Sequence, residues 1–195
     1  MNTITYIPQP SVEEVEYWLN KWDSSPDYTE QEAAIYELFH GAYSYNENLQ
    51  HILIKCSVLN DFYSTNIFKV YSVATHIQSL HIDKRLAEGD LTLVNDVARV
   101  EISGKSKNFY SFASKYCSHH NQDSYPIYDS YVDKMLKYFK KKDSFAKFEN
   151  DDLRDYPKFV SVVKQFRTYY GLEKYNLKDL DRYLWQAGKK YFNKY

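Results

Sequence analysis

The sequence predicts an all-α fold, a single compact helical domain, on three observations. Apolar residues recur at the three- and four-residue spacing of a buried helix face in segment after segment. Capping residues, prolines and glycines fall between those segments, and no apolar–polar alternation is long enough for a sheet. At 195 residues the chain can bury one sizeable core. The expected domain therefore runs over 1–195, with a centre at 48–140 and helical flanks at 1–47 and 141–195.

The first helix opens at Ser11 with the capping pattern Ser11-Val12-Glu13-Glu14 and turns Val12, Val15, Trp18, Leu19 and Trp22 inward. The run 24–27, SSPD, ends it. A second capping pattern, Thr29 to Glu32, predicts a helix carrying Ala33, Ile35, Leu38, Phe39 and Ala42. From Asn48 runs the most hydrophobic stretch, with Leu49, Ile52, Leu53, Cys56 and Leu59, which should be the central helix. After the polar junction LNDFYSTN, Ile67, Val70, Tyr71, Ala74, Ile77 and Leu80 predict another amphipathic helix. Near the C-terminus, Pro157 stands in the first turn of a helix ending at Gly171, and Asn176 with Asp179 caps a last one.

The stretch with most chemical character is ISGKSKNFYSFASKYCSHHNQDSYPIYDSYVDKM, Ile102 to Met135. Ser106 reads as the N-cap of a helix burying Phe109, Phe112, Ala113, Tyr116 and Cys117. Pro126 keeps the next segment extended and leaves Tyr128 or Asp129 as the cap of a helix with Val132, Met135, Leu136 and Phe139. On the residues alone Asp129 is either a helix cap or a carboxylate with a reaction to serve.

This order of elements, and YPIYDSYVDKML above all, resembles the helix-hairpin-helix DNA glycosylase superfamily, over about Leu49 to Phe139. In that family a loop, often with a proline, delivers an essential aspartate at a helix start. Here Asp129 holds that place, one residue further from the proline. Gly104-Lys105-Ser106-Lys107 stands where the family has a glycine-rich hairpin, with one glycine in place of two. The resemblance implies removal of a modified base from DNA. Asp129 would stabilise the positive charge developing at the sugar, and Lys107 would attack that sugar in a lyase mechanism. Gly104, Lys105 and Lys115 are expected to bind nucleic acid, and Lys105 and Lys107 serve equally well as phosphate anchors. Asn60 and Asn66 fall at a junction that faces DNA in the family, or else cap the next helix. Tyr128 and Tyr131 are expected to wall a base pocket, or else to lie in the core or at its rim.

Charge agrees with a polyanionic partner. Residues 1–129 carry 9 Lys and Arg against 17 Asp and Glu, and residues 130–195 carry 16 against 9. The basic third either faces DNA or pairs with the acidic part. No metal site is expected, because His76, His81, His119 and His120 lack an HxxxH or HExxH setting. Two cysteines, Cys56 and Cys117, supply neither a disulfide framework nor an iron–sulfur site, and no cofactor is expected. The absence of a long apolar run and of a leader pattern predicts a soluble cytoplasmic protein, not membrane-bound, acting as a monomer. Two rival functions remain: a DNA-binding module of the same fold without catalysis, and a helical protein-interaction domain.

Overall fold

A computed structural model describes residues 6–192. The first residues of the N-terminal stretch read for a leader, and Lys194 of the basic third, lie outside them. In chain order the elements are α1 (Val12–Asp23), α2 (Pro26–Tyr36) running into a π-helical turn (Glu37–Ala42), α3 (Leu49–Phe62), α4 (Val70–Ser79), α5 (Asp83–Glu88) and α6 (Leu93–Ala98). Two strands follow, β1 (Arg99–Ile102) and β2 (Lys105–Asn108), and then α7 (Tyr110–His120) and α8 (Ser130–Asp143). A 3-10 turn (Asn150–Arg154), α9 (Tyr156–Tyr169) and α10 (Leu177–Tyr191) complete the chain. The described residues are thus mostly helical.

The chain divides into two compact units, 1–26 with 128–195 and 27–127, where the sequence reading has a single domain. In the first, α10 packs on α1 and α8. A Cβ on Gly188 would stand 2.7 Å from that of Tyr131, so glycine is what lets α10 come this close to α8. Several caps are those the sequence predicts. Ser11 Oγ accepts from the Glu14 amide, Asn176 and Asp179 form a reciprocal capping box, and Pro157 stands in the first turn of α9. In the second unit α3 packs on α4 and α7, α6 on α7, and α4 on β1. Asn48 Oδ1 caps α3 by accepting from the amides of Gln50 and His51.

Three local expectations are corrected. Pro26 starts α2, three residues before Thr29, because proline suits a first helical position. Ile67 is buried but precedes α4, which begins at Val70. Ser106 lies on β2 and does not cap α7, which begins at Tyr110. The hairpin escapes detection because β2 is exposed along its length and shows no alternation. Backbone closure fixes it: the Phe109 amide donates to Ala98 O at 2.8 Å, bringing its two ends together where α7 starts. No helix among the described residues is long and apolar enough to cross a membrane.

Candidate nucleic-acid interface and a buried lysine network

The hairpin pairs Val100 with Lys107 and Ile102 with Lys105. Its two-residue turn, Ser103 and Gly104, has φ of +52° and +73°, the left-handed pair a tight hairpin needs. Nothing lies within 4 Å of a Cβ placed on Gly104, so its glycine serves the backbone and not a close contact. Lys105 and Lys107 are exposed.

Charge in this unit is sharply sorted. It carries 8 Lys and Arg against 12 Asp and Glu. Lys55 and Lys115 are buried, Lys84 pairs with Glu88, and Arg85 pairs with Asp90 and Asp96. The other four, Lys69, Arg99, Lys105 and Lys107, make no ion pair among the described residues. All four are exposed, on the loop entering α4 and on the hairpin against which α4 packs. Register puts Lys105 and Lys107 on the side of Val100 and Ile102, and Arg99 with Glu101 on the other side of the hairpin.

The same loop presents a residue that the sequence reading passed over. Phe68 is 92% exposed. The loop is braced: Asn60 Oδ1 accepts from the Ile67 amide and the Thr65 hydroxyl, at 2.8 Å each, and its Nδ2 donates to Ile67 O at 3.1 Å. Ser64 and Asn66 hold left-handed φ of +48° and +57°, and Asn66 Nδ2 donates back to Ser64 O. Asn60 therefore builds the loop, whereas Asn66 stays on its exposed rim.

The remaining predicted residues are placed as follows. Lys115 is 3% exposed, donates to Ser111 Oγ and stands over the Tyr63 ring, so it is no surface anchor; α7 is buried on nearly every side. Asp129 caps α8, its Oδ1 accepting from the Tyr131 amide at 2.9 Å. Tyr128 donates to Asp133, and burial followed by that carboxylate raises its pKa above the ordinary phenol range. Tyr131 is buried beneath Lys134 and against Gly188, so its ring is not an open platform. Lys107 and Asp129 belong to different units.

The second unit also holds a buried polar network. Lys55, at 0% exposure, donates to Tyr43 O at 3.0 Å, Tyr45 O at 3.1 Å and Asn46 Oδ1 at 2.8 Å, and its ammonium stands 3.2 Å from His120 Nε2. Tyr116 donates to the same Asn46 oxygen at 2.6 Å. Asn46 in turn donates from its backbone amide and its Nδ2 to the two oxygens of Asp83, at 3.0 and 2.5 Å. Burial lowers the Lys55 pKa to about 8, against an upward pull from Asp83. Burial, then Lys55, then His40 hold His120 well below the usual imidazole range. His120 and Asp83 also line a pocket of about 440 Å³ with Tyr36, Tyr45 and Leu86. No group of three or more His, Cys, Asp or Glu side chains among the described residues is arranged to hold a metal ion.

Comparison with known proteins adds two matches. The HI_0787_N family model, described as an N-terminal domain, matches residues 14–124, more than half of the chain. An uncharacterized protein of Haemophilus influenzae is 48% identical over 147 residues, 75% of this chain and 70% of that relative. No solved structure matches.

Proposed function

We propose a function from one premise: the chain belongs to the HI_0787_N family, and the matched span contains the hairpin, the Phe68 loop and the Lys55 network. The protein binds DNA on the hairpin and the loop entering α4, and is a DNA glycosylase of the helix-hairpin-helix kind. The observation that carries the binding is the sorting of charge. In a unit with an acidic excess, the four cations that make no ion pair among the described residues lie on the hairpin and on the loop entering α4, and that loop also carries the exposed Phe68 ring. Lysines at a tight turn suit phosphates, and an exposed aromatic ring suits an unstacked base.

The order α6, hairpin, α7, then Asp129 at the start of α8, supports the glycosylase reading. Asp129 supplies the carboxylate that stabilises positive charge on the sugar as the base departs. Lys107 and Asp129 belong to different units, and Lys105 and Lys107 are both exposed where a phosphate can reach them. The reading is therefore of a monofunctional enzyme with Lys105 and Lys107 as phosphate anchors. In this proposal the protein is cytoplasmic and monomeric. A second reading, a DNA-binding module without chemistry, draws on the Asp129 carboxylate already serving as a helix cap.

Base release from duplexes carrying oxidised, deaminated or alkylated bases tests both. Release by the wild type that Asp129→Asn abolishes supports the enzyme. Salt-dependent binding with no release from any duplex supports the binding module, and no binding at low salt overturns both.

A further inference from the structure

The pocket lies at the opposite end of α7 from the hairpin. The helix has 11 residues, a span of about 16 Å at roughly 1.5 Å per residue. It is thus a place separate from the proposed DNA face. We infer that this pocket binds a planar nitrogen heterocycle of the nucleobase type, with His120 Nδ1–H as donor, the Asp83 carboxylate as acceptor, and the exposed rings of Tyr36 and Tyr45 as its aromatic edges.

The donor follows from Lys55. An ammonium has only protons to offer, so the nitrogen it faces, His120 Nε2, presents its lone pair and the ring proton sits on Nδ1. Nδ1 makes no hydrogen bond to a described residue, and the ring lines the pocket. Burial and the neighbouring ammonium keep the ring neutral, so the donor persists below neutral pH. The acceptor follows from Asn46, which engages each Asp83 oxygen once and leaves each a lone pair. Both groups are held by partners that are themselves bonded, which fixes them before a ligand arrives.

Elimination narrows the ligand. Asp83 and Asp123 both line the pocket and oppose an anion. The Lys55 charge, linked to Asp83 through Asn46, opposes a simple cation. What remains is a neutral molecule with its own acceptor and donor, flat enough for aromatic walls. Tyr36 is 57% exposed and stacked on His40 at 4.5 Å, Tyr45 is 68% exposed, and Leu86 supplies an apolar floor. A pocket of about 440 Å³ falls within the range of small-molecule sites and accommodates a base or a nucleoside.

The source is either a free base or nucleoside, or a base carried by a strand. Titration of the ¹⁵N-labelled full chain with the common bases and their nucleosides, read by amide shifts, tests the site. A single-stranded oligonucleotide competing for the bound nucleoside identifies a strand-borne base, and failure to compete identifies the free one. The expected result is saturable shifts at Ser44, Ala87 and Gln122. Ala87→Trp fills the mouth from an exposed position on α5 without touching the network, and should weaken binding at least about tenfold, as should His120→Phe. Lys105→Gln with Lys107→Gln should leave it unchanged, so that loss of the DNA face and loss of this site are told apart. No saturation with any base or nucleoside, or unaltered affinity in Ala87→Trp, overturns the inference.

Discussion

Neutralising Lys105 and Lys107 together is the sharpest test of the proposed DNA face. Each phosphate contact releases counterions, so the logarithm of the binding constant falls with the logarithm of salt by about 0.9 per contact on duplex DNA. Lys69, Arg99, Lys105 and Lys107 allow up to four contacts, a slope of about −3.6. Raising salt from about 50 to about 200 mM then weakens binding about 150-fold. The Lys105→Gln, Lys107→Gln double variant keeps two, a slope of about −1.8, and the same change costs it only about 12-fold. Fluorescence anisotropy of a labelled duplex across salt concentrations measures both slopes. Lys84→Gln is the control, because its amine already faces Glu88 at 3.7 Å on an exposed helix turn. An unchanged slope in the double variant, or an equal fall in Lys84→Gln, refutes the reasoning.

The other predictions bear on the same residues. Phe68→Ala should leave thermal stability within about 0.5 kcal/mol, since the ring is almost fully solvated, yet weaken binding to single-stranded or abasic DNA by about 1–3 kcal/mol in the same anisotropy assay. Asp129→Asn keeps a good cap and should retain stability while losing base release; Asp129→Ala should lose about 1 kcal/mol in denaturant melts as well. Lys55→Met strands two backbone carbonyls and leaves Asn46 Oδ1 with Tyr116 alone, and should cost about 3 kcal/mol or more on unfolding. The Lys55 pKa, about 8 when folded, lies below its unfolded value of about 10.4, so the unfolded chain holds the extra proton between them. Stability of the wild type relative to Lys55→Met should therefore rise from about pH 8 to about pH 10.4; a flat difference across that window would show that the buried amine is not destabilised.

Caps and helix faces were legible because they are local. Ser11, Asp129 and Asn176 each act within a few residues of their own position, and a residue type with its spacing suffices to find them. The hairpin was not legible. Its turn uses a serine in a left-handed conformation beside Gly104, and β2 has no buried face to impose a period of two. Phe68 was missed because Ile67 fits the period of α4, which suggested that the helix had already begun. Asn60 breaks that continuity through hydrogen bonds that no spacing rule encodes. Lys115 is expected to bind nucleic acid, yet it is buried. The available signal was position: Phe112, Lys115, Tyr116 and His119 follow the spacing of a core face, and all four are buried.

Lys55 stands in the same relation to its helix, with Ile52, Cys56 and Leu59. Its task differs, because what it meets is backbone. Between the π-helical turn and α3 the chain has no regular structure, so its carbonyls lack the partners a helix would give them. Tyr43 O and Tyr45 O are satisfied instead by one ammonium, which also holds Asn46. A neutral side chain of the same length could donate to fewer of these oxygens, whereas an ammonium offers three protons to the four acceptors around it, with one proton shared. The cost of burying that charge is offset only in part by Asp83 acting through Asn46. The wall of the pocket at Ser44 and Tyr45 is thus set by a lysine on another helix. The same lysine fixes which nitrogen of His120 carries its proton, so the shape and the chemistry of the pocket have one origin.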